Sequence, residues 1–280
     1  MTSITEQEQQ QITAANASGR QPVVFVHGLW LLAGSWDAWV SHFDEAGYAP
    51  LAPGWPDDPA TVAEAKANPD VFAGKGIKQI ADHYEEVIRG LTRKPAIVGH
   101  SFGGLLTQIL AGRGLAAAAV SISPAPSRGV LPLPISALRS GFPVLGNPLN
   151  ANRAVGLTYE QFRYAFGNAV SEEEARDLYE RYSVAGSGKP LFQAATANLN
   201  PKTEAKADAK NPDRGPMLIL GGAQDHTIPW TLANAAFKLQ CRNPGVTEAA
   251  KIEGRGHSLT IDSGWREVAD RALAFVRRFL

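Results

Sequence analysis

Four short, continuous apolar runs constrain this 280-residue chain more than any other feature. They are PVVFVHG (Pro22 to Gly28), PAIVGHS (Pro95 to Ser101), LAAAAVSIS (Leu115 to Ser123) and PMLILGG (Pro216 to Gly222). A run this short with no polar face must bury both faces, and parallel sheet covered on both sides is where that occurs. Segments of helical period alternate with the runs. Ser35 to Tyr48 sets Trp36, Trp39, Val40 and Phe43 on one face and stops at Gly47; Ile77 to Leu91 repeats the pattern through Ile80, Tyr84, Val87 and Ile88. FGGLLTQILAGRG, Ile228 to Leu239 and WREVADRALAFVRRFL complete the helices, APLAPGWP reads as a short strand, and GVTEAAKIEG reads as a strand nearer a sheet edge. The alternation predicts an α/β fold, a mostly parallel central sheet with helices on both faces.

The rhythm breaks after Pro124. Residues 127–214 carry prolines and glycines first, then short amphipathic helices such as TYEQFRYAFGN and SEEEARDLYERYSV. The second opens on Ser171 with Glu174 three residues on, the signature of a capping box. An insert of that length is not a loop, so it is expected as a helical cap over one end of the sheet, with 21–126 and 215–280 forming the core domain. Asp57 to Gly74 is a long, proline-punctuated connection of the kind that more often has a function than not. Residues 1–20 are polar and Gln-rich and are expected as a tail, poorly ordered or loosely docked.

The 27 basic and 27 acidic residues balance, which argues against nucleic acid or an anionic membrane as partner. No apolar run approaches the roughly 20 residues that span a bilayer, and the N-terminus lacks the basic and apolar regions of a secretion signal. The expectation is a soluble cytoplasmic protein acting on a small molecule. The single cysteine, Cys241, excludes an intramolecular disulfide framework and is expected as a buried or semi-buried thiol.

GHSFG (Gly99 to Gly103) places G-x-S-x-G directly after a strand and directly before a helix. So sharp a turn strains the serine backbone, and side chains two positions either side would collide, which glycine avoids. The turn lifts the Ser101 hydroxyl above the sheet edge, at a helix N-terminus that favours developing negative charge. A serine nucleophile needs a base in reach and an acid to hold that base. Of six histidines, His27 and His100 lie in strand-end turns and are expected to orient loops. His42 and His83 fall on helices as surface or interface residues, and His226 adjoins the preferred acid. His257, late in the chain between Gly256 and the final helix, is the candidate base. Asp225, a few residues past the strand ending near Gly221, is the candidate acid; the competitor Asp262 lies where it would cap the final helix. Oxyanion donors are expected from the backbone N–H of Phe102 and of Leu29, with Trp30 next in line. The candidate pocket walls are Trp30, Leu31, Leu32 and Phe102 with some of Phe142, Phe162, Phe166 and Phe192 from the cap, aromatic residues at helical spacing being more often cap-to-core packing. Trp30 is the substrate-contact choice.

With these residues in place the chain resembles the α/β-hydrolase fold family from Gln21 to Leu280. The nucleophile elbow, the HG oxyanion loop, the aspartate after the penultimate strand and the late histidine come in matching order. The resemblance implies about eight strands, a helical cap inserted after the sixth, and no metal or organic cofactor. It points to capped bacterial members with esterase, lipase-like or cofactor-free perhydrolase activities. Ser101, where dehalogenase and epoxide hydrolase branches carry aspartate, implies an acyl-enzyme route and so ester, thioester, amide or activated C–C acyl chemistry. The apolar candidate walls favour an ester of an uncharged apolar acyl compound. Peroxide or an alcohol in place of water (perhydrolysis or acyl transfer) is the alternative chemistry on the same residues. A catalytically silent small-molecule-binding protein is the alternative of another class.

Overall fold

A computed structural model describes residues 4–280. Its central sheet has six parallel strands: β1 (Pro22–Val26), β2 (Ala49–Leu51), β3 (Ala96–His100), β4 (Ala118–Ile122), β7 (Met217–Gly222) and β8 (Thr247–Ile252), ordered β2-β1-β3-β4-β7-β8. The expected count of about eight is thus corrected to six. The chain ahead of β1 is spent on a helix rather than on further strands. The insert accordingly follows the fourth strand, not the sixth. It contains only a two-stranded antiparallel pair, β5 (Ala154–Val155) with β6 (Gly186–Ser187), outside the main sheet.

Period-two burial explains how the sheet is sandwiched. Val23 and Phe25 of β1, with Val98, Val120 and Leu220, face α2 (Asp37–Glu45) and α11 (Trp265–Arg277) through Trp39, Phe43, Val268 and Leu273. Val24 and Val26, with Ile97, Ala119 and Ile219, face α4 (Ile77–Arg89), α5 (Phe102–Gly112) and α10 (Trp230–Gln240). The connection before α4 holds the short α3 (Val62–Ala67), whose Thr61 and Glu64 form a full capping box. The insert carries α6 (Ile135–Leu145), α7 (Tyr159–Ala165), α8 (Glu172–Tyr182) and α9 (Lys189–Ala195).

The N-terminal segment is not a loose tail. Glu6–Ser18 form α1, started by a capping box between Thr5 and Glu8 and ended by Gly19 at φ 64°. It packs against β2, the outermost strand, and buries Ile12 to 2 % exposure, a contact worth about 1.5–3 kcal/mol. Its polar sequence concealed a second anchor. Glu8 is buried beside His83 of α4, Oε1 to Nε2 2.8 Å, so of the two placements expected for His83, surface or interface, it takes the interface, between α1 and α4. Cys241 is likewise reversed: it is exposed at the end of α10.

Candidate active site

β3 ends at His100 and α5 begins at Phe102, leaving one residue for the reversal. That residue is Ser101, at φ 57° and ψ −120°, a conformation costing a non-glycine residue about 1–3 kcal/mol. Three backbone bonds hold it there. Its N–H donates to Ile122 (2.9 Å), and its carbonyl accepts from Leu105 (3.2 Å) and Ala125 (2.9 Å). The flanking glycines are required by contact. A Cβ on Gly99 would lie 2.5 Å from the Gly103 carbonyl carbon, and one on Gly103 would lie 2.6 Å from the Val26 carbonyl carbon.

β1 and β3 are neighbours, and the chain leaves them toward opposite sides of the sheet, so the loops after them flank a topological switch point. The β1 loop meets Ser101 there: a Cβ on Gly28 would touch the Ser101 Cβ at 2.9 Å. Leu29 follows in that loop, and Trp30 takes φ 65°, tied by its indole N–H to the Val155 carbonyl at 3.0 Å. The Phe102 N–H opens the first turn of α5, where a helix offers no acceptor of its own.

The structure brings the three predicted side chains into one row. His257 Nε2 lies 3.0 Å from Ser101 Oγ, and His257 Nδ1 lies 2.7 Å from Asp225 Oδ2. His257 is fully buried, Asp225 and Ser101 nearly so. The other Asp225 oxygen accepts from the N–H groups of Thr227 (2.9 Å) and Ile228 (2.7 Å), which fixes the carboxylate plane. An ionised carboxylate only accepts, so Nδ1 carries the proton and the Nε2 lone pair faces the serine hydroxyl.

The loop bearing His257 is braced from below and above. Asp262 does not pair with His257. It accepts from Ser258 Oγ (2.8 Å), the Gly264 N–H (3.1 Å) and the Arg255 guanidinium at the entrance to α11. Burial raises the Asp262 carboxyl above the usual carboxylate range although Arg255 opposes the shift. From the insert, Phe166 accepts the Ser258 N–H (3.2 Å) and sets its ring edge-on to the imidazole, centroids 4.9 Å apart. Only half of the expected Ser171 capping box forms. The Ser171 hydroxyl accepts from the Glu174 N–H, while the Glu174 carboxylate accepts from the Ser263 N–H at 2.6 Å, tying α8 to the same loop. His100 packs its ring 4.7 Å from that of His257. Complete burial, with the neighbouring His257 adding to it, holds His100 well below the usual imidazole range.

One cluster escaped sequence reasoning. Beneath the β1 loop, Asp58 faces His27 Nε2 (3.1 Å) and Lys75 Nζ (3.3 Å), all three side chains being buried. Asp58 also accepts the Trp55 N–H (3.1 Å), and the Trp55 ring stacks on His27 with its indole N–H donating to the His27 carbonyl (3.3 Å). His27 Nδ1 sits 3.0 Å from the Gly28 carbonyl. This network fixes the loop that carries Leu29. Its only trace in the sequence is the unusual length of the Asp57–Gly74 connection, since a lone aspartate and a distant lysine form no motif.

A cleft of about 890 Å³, its open mouth included, starts at Trp30 and Phe102. Its other walls include Pro126 just ahead of the insert, Val130, Leu138 and Leu191 from the insert, Ile228 in the loop after β7 and Leu232 from α10. The remaining predicted walls lie elsewhere. Leu31 and Leu32 are buried in core clusters, Phe162 stacks behind Phe166, Phe192 packs against the core, and Phe142 is 69 % exposed. Helical spacing marks an apolar face but does not say whether it meets core, cleft or solvent.

Residues 23–271 match the family model described as the alpha/beta hydrolase family. The chain belongs to that family. Among solved structures, this α/β hydrolase is similar to an extracellular alpha/beta-hydrolase from a Paenibacillus species, described as sharing structural and functional homology with tobacco salicylic acid binding protein 2. The two are 18 % identical, with a TM-score of 0.66 over 91 % of this chain and 98 % of the other. It is also similar to the Paleococcus ferrophilus monoacylglycerol lipase (20 % identity, TM-score 0.61, 90 % and 91 % covered). A third is a pyrethroid hydrolase from Sphingobium faniae JZ-2 (15 % identity, TM-score 0.65, 92 % and 97 % covered). No curated protein matches the chain by sequence. Among the described residues no helix is long and apolar enough to cross a membrane.

Proposed function

We propose that this α/β hydrolase is a serine esterase that cleaves an uncharged apolar acyl ester through an acyl-enzyme. The observation that carries the reading is the row Asp225–His257–Ser101, at 2.7 and 3.0 Å, with the serine on a strained elbow. His257 takes the Ser101 proton as Oγ attacks the carbonyl carbon, and Asp225 stabilises the imidazolium that forms. The N–H groups of Phe102 and Leu29 receive the negative oxygen of the tetrahedral intermediate, their charge stabilisation strengthened by exclusion of water. His257 then returns the proton to the departing alkoxide, and water repeats the sequence on the acyl-enzyme. The apolar cleft beginning at Trp30 and Phe102 supports an apolar acyl group. The lipase and pyrethroid hydrolase among the structural neighbours are in keeping with that choice. A cytoplasmic setting belongs to the same reading, because a single exposed thiol suits a reducing compartment.

Pre-steady-state kinetics with p-nitrophenyl esters test it. Wild type gives a burst of nitrophenol, Ser101→Ala loses about 10⁶ in kcat, and Asp225→Asn loses about 10⁴. Wild-type turnover by Ser101→Ala, or folded protein that a fluorophosphonate fails to label, rejects the assignment; the latter result favours a silent binding protein. The apolar walls of the cleft suit an acceptor other than water as well, so products are analysed with hydrogen peroxide or a competing alcohol present.

A further inference from the structure

The outer lip of the cleft is apolar and exposed, and the segment that forms most of it, residues 128–153, carries basic but no acidic residues. Leu131 is 73 % exposed, Leu133 69 %, Ile135 85 %, Phe142 69 %, Leu149 63 % and Leu199 85 %. These positions form one patch. On α6, Ile135, Leu138 and Phe142 follow helical spacing and share a stripe. The turn carrying Leu149 packs against α6, and the Asn198 side chain bonds Gly129 and Val130, both at 2.8 Å, which sets Leu199 beside the Leu131 strip. Single exposed leucines are ordinary, but a contiguous patch of this kind marks a surface that something covers.

Two observations identify the occupant. The first is charge. From Arg128 to Arg153 the chain holds three arginines, Arg128, Arg139 and Arg153, and no aspartate or glutamate. The balanced totals that argue against an anionic membrane average over this acid-free stretch. The second is continuity with the cleft, since Leu133 and Leu138 belong both to the exposed lip and to the cleft wall. A folded partner on the lip closes the mouth, whereas a fluid lipid surface covers the lip and still supplies apolar molecules to the opening.

We propose that this lip seats on an anionic lipid surface, which holds the cleft mouth against the phase from which an apolar acyl compound is drawn. The apolar side chains enter the interface while the arginines meet the head groups. The seating rests on the surface alone; only its use in substrate delivery rests on the esterase reading.

Co-sedimentation of the full chain with vesicles tests it, using phosphatidylcholine alone and phosphatidylcholine mixed with phosphatidylglycerol. Wild type binds the mixed vesicles about tenfold or more tightly than the neutral ones, and added salt narrows the difference. The triple variant Leu131→Ser, Ile135→Ser, Phe142→Ser alters exposed positions outside the cleft lining. It binds mixed vesicles about tenfold or more weakly while hydrolysing a soluble p-nitrophenyl ester at the wild-type rate. Ser101→Ala binds as wild type does, so a failure of the esterase reading leaves this result standing. Equal binding to the two vesicles, or a triple variant that binds like wild type, overturns the proposal. So does sedimentation equilibrium that finds a dimer dissolved by the triple variant, because the occupant is then a second copy.

Discussion

Gly103→Ala sets two effects of opposite sign against each other. In the first turns of a helix, alanine is favoured over glycine by up to about 1 kcal/mol. At this position the added Cβ meets backbone on two sides. It would lie 2.6 Å from the Val26 carbonyl carbon and 2.7 Å from the His27 oxygen, where ordinary contact begins at 3.4 Å. Neither neighbour can rotate away, because Val26 ends a central strand and His27 belongs to the buried Asp58 network. Helix α5 therefore has to shift by about 1 Å, and such overpacking costs about 3 kcal/mol or somewhat more. The net loss is about 2 kcal/mol, or about 3–4 °C in Tm for a chain of this size. Because α5 carries the elbow, the same shift moves Ser101 relative to His257, and a 1 Å misplacement costs about 10² in rate. Urea unfolding followed by circular dichroism gives the stability, and fluorophosphonate labelling gives the serine's reactivity. Gly104→Ala is the control one residue on, where a Cβ would find Pro124 at 3.0 Å and Ile122 at 3.1 Å; its loss is smaller. A Gly103→Ala protein as stable as wild type, labelled at the wild-type rate, refutes the steric account of the elbow.

Three other outcomes follow from buried charge. His100 stays neutral in the fold while the unfolded chain protonates it near pH 6.5, so the unfolded state binds more protons and stability falls as pH drops below that value. The slope from this group is about 1.4 kcal/mol per pH unit until the folded-state pKa is reached. Chemical unfolding across pH should show that component missing from His100→Leu. Asp58→Ala strands Lys75 without its partner and frees the β1 loop. It should destabilise by about 3–5 kcal/mol, whereas Asp58→Ala with Lys75→Met recovers stability in the same melt but not esterase activity. Burial works against the Glu8 carboxylate, but hydrogen bonds from His83 and Thr5 outweigh it and hold the group below its ordinary range. That stability is present above the unfolded value near pH 4.3 and lost as pH falls below it. Glu8→Gln should therefore flatten the acid limb of the same unfolding profile.

Much of the architecture was legible before any coordinates. The continuous runs at Pro22, Pro95, Leu115 and Pro216 became strands of one parallel sheet because both-face burial admits little else. The edge character of β8 was visible in its polar residues. Ser101, Asp225 and His257 were readable as candidates because each stands just past a strand end, and all strand ends of a parallel sheet share one edge. What local pattern could not supply was partnership across the fold. Residues 4–18 look solvated until the outer face of β2 and the His83 imidazole give Ile12 and Glu8 something to bury against. The Glu174 carboxylate had a local partner on offer and took Ser263 instead. Asp58, Lys75 and His27 carry no spacing rule and meet only because the β2–α4 connection folds back under the loop after β1. The same limit governs the aromatic residues of the insert. Phe166 and Phe142 differ little in sequence context, yet tertiary packing puts one against His257 and leaves the other in solvent. Short-range periodicity sets which face of an element is apolar; long-range packing alone decides what that face meets.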